Sequence, residues 1–217
     1  MKIASNTNHN GMAGGQAFKD AITKTIKENG SHFIIETGTY LGQGTTQAII
    51  SGMGESANLI TIEVNPEHAN IARRNIDDPR VTILNGLSVP RDLLPKRLAL
   101  EDLPDTVFID HQEHERERLY QKEVSHRVAD NMLATAMSVS GNYSPNFILL
   151  DSAGHMGYQE WGYVMALYRG DEFILALDDT NHLKHYKTVQ QIKQDSRFKL
   201  LWDTKEKFGS AIYRFKK

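Results

Sequence analysis

An α/β fold is expected for this chain of 217 residues, with a mostly parallel sheet, helices on both faces and an antiparallel hairpin at the end. Short apolar segments alternate with amphipathic ones along most of the chain, from FIIET to FILAL. The chain then closes with two apolar segments, FKLLWDT and SAIYRF, joined by the turn-like KEKFG. A hairpin at this position requires that one of its strands runs antiparallel to the rest.

The first part of this pattern begins with an amphipathic helix in GGQAFKDAITKTIKENG. Phe18, Ile22 and Ile26 lie four residues apart in it, and Gly30 ends it. A strand, a glycine-rich turn and a helix are then predicted for HFIIETGTYLGQGTTQAII. The same strand and helix pattern returns in NLITIEVNPEHANIARRNI, and a third strand is predicted in RVTILNG.

The second part of the pattern supplies the remaining strands. Two apolar strands are predicted in NFILLDSAG and EFILALDD, with a helix in YQEWGYVMALY between them. A further helix across LKHYKTVQQIKQD precedes the closing hairpin. The sequence therefore predicts a sheet of seven strands.

Residues 88–145 interrupt the alternation of strands and helices. Within them, residues 110–137 carry apolar side chains four apart among charged ones, which predicts one long amphipathic helix. Asp110 and Glu113 would form a capping box at its start. Its charged face is expected to be solvated, and the functional alternatives are a lid or a contact between the subunits of a homo-oligomer. The apolar side chains are those of Tyr120, Val124, Val128, Met132 and Ala136.

The chain divides into an arm and one domain. Residues 1–15 are rich in Asn and Gly, and we expect a flexible arm there. Residues 16–217 are expected to form a single domain, with the mainly helical segment 88–145 inserted in it.

Composition and charge exclude several classes of protein. The formal net charge is -2, so nothing indicates binding to nucleic acid or to an anionic membrane. No apolar run approaches the ~18 residues of a membrane helix. The segment MKIASNTNHNGMAGGQ lacks the apolar core of a signal peptide, so a cytoplasmic location is expected. The absence of cysteine excludes a thiol nucleophile, a disulfide framework and a thiolate metal site.

The glycine-rich turn ETGTYLGQGTT is the first candidate for a ligand site. Gly38, Gly42 and Gly44 lie between a predicted strand and a predicted helix, where the backbone can approach a ligand and the helix offers free N–H groups. Their spacing, G-x-x-x-G-x-G, differs from the G-x-G-x-x-G of dinucleotide-binding proteins and from a P-loop. Glu36 precedes the turn, and its carboxylate would repel a pyrophosphate but suits a positive amino group.

Polar residues also end the next two predicted strands. Glu63 ends LITIE, and a carboxylate at this position can accept both hydroxyls of a ribose. The third strand ends at Asn85 and Gly86, where a loop can lie against an adenine. Each feature alone is often structural, but three of them on consecutive strands indicate a ligand site at one edge of the sheet.

Acidic residues end the two strands before the hairpin, Asp151 after FILL and the pair Asp178 and Asp179 after FILAL. Ligands bind outside the carboxyl ends of parallel strands, so neighbouring strands would bring these carboxylates together. An oxygen-rich cluster suits Mg²⁺ or Ca²⁺ better than Zn²⁺. Alternatively, one aspartate caps a helix and another faces water. A rival assignment with Asp110 as the ligand is rejected, because only Asp151 lies one helix before the pair.

On these residues, the chain resembles the class I S-adenosylmethionine-dependent methyltransferases, which have a Rossmann-like sheet of seven strands. The resemblance rests on ETGTYLGQGTT, the strand ending at Glu63 and the closing hairpin, and covers most of residues 16–217. It implies S-adenosylmethionine as the cofactor, with its ribose on Glu63. The other implied cofactor contacts are Glu36, Thr37, Gly38, Thr39, Gly42, Gly44, Thr45, Val64, Asn85, Gly86, Ser88 and Asp151.

The acids narrow the resemblance to metal-dependent O-methyltransferases of the macrocin and catechol types. In these enzymes one acid ends the fourth strand and an Asp-Asp or Asp-Asn pair ends the fifth, as Asp151, Asp178 and Asp179 do here. The resemblance implies a divalent cation such as Mg²⁺ on these residues, and transfer of a methyl group to a hydroxyl of a small acceptor. A sugar or a glycosylated metabolite is the preferred acceptor, on resemblance alone.

A base is needed to take the proton of the acceptor hydroxyl, once a cation has oriented it and lowered its pKa. The candidates are Asp151 and the histidines His155, His182 and His185, since histidine titrates near neutral pH. Each histidine alone is more often a surface or supporting residue. Lys184 is an alternative base, but it is expected to be an exposed helical lysine.

Two other functions stay open. One is an enzyme that modifies NAD or a nucleotide sugar on a similar sheet, which the glycine spacing and Glu36 disfavour. The other is a catalytically inactive, cofactor-binding regulator that acts through the long charged helix.

Overall fold

The computed structural model describes residues 15–95, 103–109, 113–153 and 156–217. The predicted arm up to residue 14, the cap at Asp110 and the candidate base His155 lie outside the described residues, and the predictions made for them stay predictions.

The described part of the chain forms seven strands and seven α-helices, beginning with α1 (Gln16–Asn29), and they alternate except where α4 precedes α5 and β6 precedes β7. The strands are β1 (Phe33–Thr37), β2 (Asn58–Glu63), β3 (Val81–Asn85), β4 (Phe147–Leu150), β5 (Glu172–Asp178), β6 (Phe198–Thr204) and β7 (Ser210–Lys216). The other helices are α2 (Thr45–Gly52), α3 (Pro66–Asn75), α4 (Glu113–Val124), α5 (Met132–Val139), α6 (Met156–Leu167) and α7 (Tyr186–Gln194), with a 3-10 helix at Arg91–Leu93.

The strands form one sheet in the order β3-β2-β1-β4-β5-β7-β6. Strands β1 to β5 pair in parallel, and β7 runs antiparallel to both β5 and β6. The predicted seven-stranded α/β fold with its closing hairpin is therefore confirmed. The strand order reverses between β1 and β4, and in open sheets of this kind the crevice at that point is where ligands bind.

Side chains alternate between two apolar cores, one on each face of the sheet. Along β1, Ile34 packs into one core with α1 and α2, while Ile35 packs into the other with α5 and α6. The same alternation occurs along β4, where Phe147 joins the first core and Ile148 the second. Helix α1 ends at Gly30, which has φ +57° and allows the left-handed C-cap. The long apolar strands thus follow from burial on both faces.

The predicted single helix over residues 110–137 is wrong. Helices α4 and α5 are separated by residues 125–131, and Asn131, just before α5, has φ +65°. This break has a tertiary cause, because the segment pairs with the loop after β3: the Leu87 N–H donates to the Ala129 carbonyl at 2.9 Å. The apolar spacing continues through the break, so the pattern alone does not reveal it. Homo-oligomer formation through this region stays a prediction, without one continuous helix to support it.

Among the residues that the structure describes, no helix combines the length and the apolar character needed to cross a membrane.

Candidate functional site

The carboxyl ends of the five parallel strands meet at one edge of the sheet. Thr37 at the end of β1 pairs with Ile62 of β2 and with Leu150 of β4, and Leu150 pairs in turn with Leu177 of β5. On the other side, Glu63 pairs with Asn85 of β3. The predicted strand-end residues Thr37, Glu63 and Asn85 therefore lie along one edge of the sheet.

The glycine turn after β1 is shaped by contacts within the protein. Gly38 has φ +84°, and a Cβ there would lie 2.3 Å from the carbonyl oxygen of Asp151. Gly42 has φ +73°, and a Cβ there would lie 2.6 Å from the Cδ1 atom of Ile76, the residue after α3. Gly44 is the residue before the first turn of α2. Gly38 thus allows the turn to touch the backbone at the end of β4.

Glu36 lies under this turn, fully buried, and we name it with its three hydroxyl partners the glutamate–threonine cluster. The Thr45 hydroxyl donates to its Oε1 at 2.8 Å, and the hydroxyls of Thr46 and Thr61 each donate to its Oε2 at 2.7 Å. Burial raises the pKa of Glu36, against the lowering effect of the three hydroxyls. The expected contact of Glu36 with a ligand's amino group stays a prediction, and the carboxylate is already hydrogen bonded at both oxygens.

Glu63 is also buried, with 7% of its side chain exposed. Its carboxylate accepts the backbone N–H of Tyr40 at 2.8 Å and that of Asn65 at 2.9 Å. Burial raises its pKa to about 7, more than these hydrogen bonds lower it. The exposed Tyr40 packs against His68, whose Nδ1 lies 3.8 Å from Glu63. The turn and the end of β2 are thus joined through this carboxylate.

The loop after β3 is tied to its neighbours on both sides. The Asn85 amide donates to the Glu63 carbonyl at 2.8 Å and to the Val64 carbonyl at 3.2 Å. A Cβ at Gly86 would lie 2.6 Å from Met132, so glycine is required where this loop meets α5. Asn85 and Gly86 therefore serve the packing of the loop, whether or not an adenine lies against it.

Glu160 on α6 is a buried residue that the sequence did not single out. Its carboxylate accepts the hydroxyl of Thr37 at 2.9 Å and that of Ser152 at 2.6 Å, and the Ser88 side chain also bonds to it. Burial raises its pKa, against these hydrogen bonds. Glu160 connects the ends of β1, β3 and β4. Its only signal in the sequence is an acid among the apolar residues of a predicted helix.

At the ends of β4 and β5, Asp151, Asp178 and Asp179 come together as predicted. Carboxylate oxygens from the three lie within 4.8 Å of one another. A fourth residue lies among them: Lys184 Nζ is 2.7 Å from Asp151 Oδ1 and 2.8 Å from Asp179 Oδ2. The Ser210 hydroxyl donates to Asp178 Oδ1 at 2.6 Å. We name the three aspartates and Lys184 the acid–lysine cluster.

The expectation of an exposed helical Lys184 is wrong. Its side chain is only 5% exposed, and α7 begins at Tyr186, two residues later. Although burial disfavours its charge, the neighbouring carboxylates raise the pKa of Lys184 well above the usual value. Burial also acts against the charge of Asp179, but Lys184 lowers the pKa of that carboxyl. Burial raises the pKa of Asp151 well above its usual value. Lys184 acts to lower this pKa, and the charges of the other two aspartates act to raise it further.

The loop that carries the acid pair is held by two distant segments. Asp179 has φ +58°, a left-handed conformation that needs support from its surroundings. The Thr180 N–H donates to the Gly209 carbonyl at the tip of the β6–β7 hairpin, at 2.9 Å. From the other side, the Phe108 N–H donates to the Asn181 carbonyl at 2.9 Å. The hairpin and residues 103–109 thus fix the place of the pair.

The two histidines after the acid pair are both buried. His182 accepts the Lys184 backbone N–H at its Nδ1 atom, at 3.2 Å, and its ring packs against Phe208. The His185 Nε2 atom donates to the Leu150 carbonyl at 3.0 Å, and burial lowers its pKa to about 3, with Lys184 adding to the effect. A Cβ at Gly157 would lie 2.3 Å from that ring. His185 thus packs α6 and α7 onto β4 and does not suit the role of a base.

Comparisons with known proteins agree with this architecture. No family model matches the chain. In sequence it is similar to the catechol O-methyltransferase of Sus scrofa, with 32% identity over 96 residues, or 42% of this chain and 50% of the relative. The chain thus spans about half the length of that curated relative.

Among solved structures, the chain is similar to the O-methyltransferase from Bacillus cereus in complex with SAH (S-adenosylhomocysteine). The TM-score is 0.58 at 16% identity, covering 95% of this chain and 83% of the other. The SAH-bound methyltransferase PaMTH1 from Podospora anserina gives a TM-score of 0.58 at 13% identity, covering 98% and 83%. At these identities the structures show the fold. The predicted resemblance to O-methyltransferases of the catechol type is confirmed.

Proposed function

We propose that the protein is an S-adenosylmethionine-dependent O-methyltransferase that moves a methyl group to a hydroxyl of a small acceptor. One observation carries the proposal: the glycine turn touches the acid–lysine cluster, since Gly38 packs on the backbone of Asp151. A cofactor bound at the turn and an acceptor bound at the acids would therefore be neighbours. Methyl transfer by in-line displacement depends on this kind of proximity.

The residues of the turn suit the proposed cofactor. Helix α2 begins directly after the turn, its N-cap Gly44 supplies no side-chain hydrogen bond, and the first N–H groups of the helix would be available to an anionic group of the ligand. Glu63 accepts two backbone N–H bonds, and its oxygens have further lone pairs for the hydroxyls of a ribose. When bound, S-adenosylmethionine supplies the methyl group as part of a sulfonium. The turn would hold its methionine part, and residues 85–88 would lie near its adenine.

The acid–lysine cluster also suits a divalent cation such as Mg²⁺, which would be held by Asp151, Asp178 and Asp179. When these three carboxylates are ionised, the ammonium of Lys184 balances only one of their charges, and a divalent cation would balance the other two. Oxygen ligands are the ones that Mg²⁺ prefers. Such a cation would lower the pKa of an acceptor hydroxyl.

The acceptor hydroxyl needs a base beside the cluster. Asp151 is the first candidate, because Lys184 bonds to its Oδ1 and the other oxygen of the same carboxylate can accept a proton. His182 is the second candidate, although its Nδ1 already accepts a backbone N–H. His155 is a third candidate and lies outside the described residues.

The cluster and its apolar neighbours support a proposal for the class of acceptor. A relative that acts on a catechol favours an acceptor with two adjacent hydroxyls, whether on a sugar or on an aromatic ring. Phe108 and Phe208, with ring centroids 5.3 Å apart, lie beside the loop that carries Asp179 and would offer such an acceptor an apolar face.

Calorimetric titration with S-adenosylhomocysteine and with NAD, each with and without Mg²⁺, tests the cofactor. We expect S-adenosylhomocysteine to bind and NAD not to bind. Failure of S-adenosylhomocysteine to bind would contradict the proposed function, and binding of NAD instead would favour the alternative enzyme. Binding without methyl transfer to any of a panel of diols and catechols would favour the inactive regulator.

A double variant tests the cation site. We expect Asp178→Asn with Asp179→Asn to lose Mg²⁺ binding and to keep S-adenosylhomocysteine binding, because the changes lie away from the glycine turn. Unaltered Mg²⁺ binding in a folded double variant would show that the assignment of these ligands is wrong.

A further inference from the structure

The ammonium of Lys184 lies between two of the carboxylates proposed to hold a cation. We propose that Lys184 is a resident cation of the acid–lysine cluster: it holds Asp151 and Asp179 together in the metal-free protein and competes with a divalent cation for them. The inference rests on the proposed function only in treating the cluster as a cation site. It assigns a positioning role to Lys184.

The position of Lys184 is built by its neighbours. The residue before it donates its N–H to the Phe108 carbonyl at 3.2 Å, and its own N–H bonds to His182. The residue after it is His185, which is fully buried and bonded to the end of β4. With its backbone fixed on both sides and its side chain 5% exposed, Lys184 is held in the cluster.

The carboxylates need this ammonium when no other cation is bound. Asp151 and Asp179 are 15% and 27% exposed at their side chains, and each forms a short ion pair with Lys184. Removing one partner of a buried ion pair leaves an uncompensated charge in a medium of low dielectric constant. Lys184 therefore keeps the two strand ends together while the divalent cation is absent.

The same charge opposes a divalent cation. Lys184 bonds to one oxygen of Asp151 and one of Asp179, so an incoming ion must either displace the ammonium or bind the remaining oxygens beside it. Both routes weaken binding, the first because two ion pairs are lost, the second because like charges repel strongly at short range inside a protein. A neutral side chain at position 184 should therefore strengthen binding of a divalent cation.

The test uses Mn²⁺ as the probe with Lys184→Met, a neutral residue of similar length, and Lys184→Gln, a neutral residue whose shorter side chain can still donate a hydrogen bond to a carboxylate. Lys193→Met is the matched control, because Lys193 is exposed on α7. Mn²⁺ affinity is measured by calorimetry, and the melting temperature is measured with and without saturating Mn²⁺.

We expect the Kd for Mn²⁺ to fall at least tenfold in Lys184→Met and to fall in Lys184→Gln, with Lys193→Met equal to wild type. The metal-free melting temperature of Lys184→Met should drop by several degrees, and saturating Mn²⁺ should raise it more than in wild type. If Lys184→Met does not fold, the Kd of Lys184→Gln for Mn²⁺ tests the inference instead.

Equal or weaker Mn²⁺ binding in both folded variants would overturn the inference, and so would the absence of Mn²⁺ binding in every protein. S-adenosylhomocysteine is titrated in parallel. If the wild-type protein binds S-adenosylhomocysteine but fails the Mn²⁺ test, the inference about Lys184 is overturned and the proposed function stands. If the wild-type protein does not bind S-adenosylhomocysteine, the proposed function is contradicted.

Discussion

Two groups of buried carboxylates lie at the same edge of the sheet, and their charges are met in different ways. In the glutamate–threonine cluster, one carboxylate accepts bonds from three neutral hydroxyls. In the acid–lysine cluster, three carboxylates share one ammonium and one hydroxyl. In the first arrangement, both oxygens of the carboxylate are bonded to neutral donors. When the three carboxylates of the second are ionised, their charge exceeds that of the single ammonium, which would favour the binding of a cation.

The two clusters also differ in the direction in which the pKa of a buried carboxyl is shifted. Burial raises the pKa of Glu36, with only neutral hydroxyls to oppose it. Burial acts in the same direction on Asp179, yet the ammonium of Lys184 lowers the pKa of that carboxyl. Burial with only neutral partners thus favours the protonated form of Glu36, whereas Lys184 favours the ionised form of Asp179.

The largest loss of stability is expected from a substitution at Gly38, where the glycine turn contacts the acid–lysine cluster. In Gly38→Ala, the new Cβ would overlap the Asp151 carbonyl, and alanine would have to adopt φ +84°. We expect the free energy of unfolding to fall by about 4 kcal/mol, because backbone strain and a backbone clash add. Urea unfolding measures it. Gly54→Ala is the control, since its Cβ would meet nothing within 4 Å. Equally small losses of unfolding free energy in Gly38→Ala and Gly54→Ala would contradict the close contact between Gly38 and Asp151.

Removing the carboxylate of the glutamate–threonine cluster should have the next largest effect. Glu36→Ala leaves three threonine hydroxyls without their acceptor and opens a cavity in the core. We expect the free energy of unfolding to fall by about 3 kcal/mol in urea titrations. Glu55→Ala, at an exposed position, is the control and should stay within ~0.5 kcal/mol of wild type. A loss in Glu36→Ala as small as that in the control would refute the structural role of Glu36.

The pH dependence of stability should follow Glu63. Its pKa is about 7 in the folded protein, against an ordinary value of 4.5, so the folded chain keeps this proton up to a higher pH. Protonated Glu63 therefore contributes its full stabilisation below pH 4.5. This contribution is lost as the pH rises through about 7, where Glu63 ionises in the folded protein.

Between those two pH values we expect the wild type to lose about 2 kcal/mol more stability than Glu63→Gln, which cannot ionise. Urea unfolding at a series of pH values measures this difference, and Glu55→Gln should follow the wild type. Parallel pH profiles for wild type and Glu63→Gln would contradict the assignment.

The strand ends could be predicted from the sequence because they depend on local patterns. Apolar runs that stop at Glu63, Asp151 and Asp178 mark where buried strands reach solvent, and the alternation of helices places those ends at one edge. The fold and the meeting of the three aspartates follow from this.

The environment of Lys184 could not be predicted in the same way. The spacing of apolar residues suits a helix across LKHYKTVQQIKQD, yet the hairpin tip and residues 103–109 bind the loop before α7 and turn Lys184 inward. Glu160 was missed for a related reason, since its partners come from three separate strand ends. Contacts between segments far apart in the chain decide both cases.

The smallest effects should come from deleting one hydroxyl in each cluster. Thr45→Val removes a 2.8 Å bond to Glu36, and Ser210→Ala removes a 2.6 Å bond to Asp178. Each should lower the free energy of unfolding by about 1 kcal/mol, the usual net contribution of such a bond. Urea unfolding of the two single variants measures these losses.

The double variant Thr45→Val with Ser210→Ala tests whether the two clusters are independent. Strands β1 and β5 are separated by β4, and Glu36 is in register with Ala176, two residues before Asp178, so the usual strand dimensions place Glu36 and Asp178 about 12 Å apart. Changes at that range without shared partners normally add within ~0.5 kcal/mol. We expect additive losses in urea unfolding. A coupling well above that limit would mean that the contact between Gly38 and Asp151 links the clusters energetically, so that binding at the turn would alter cation affinity at the acids.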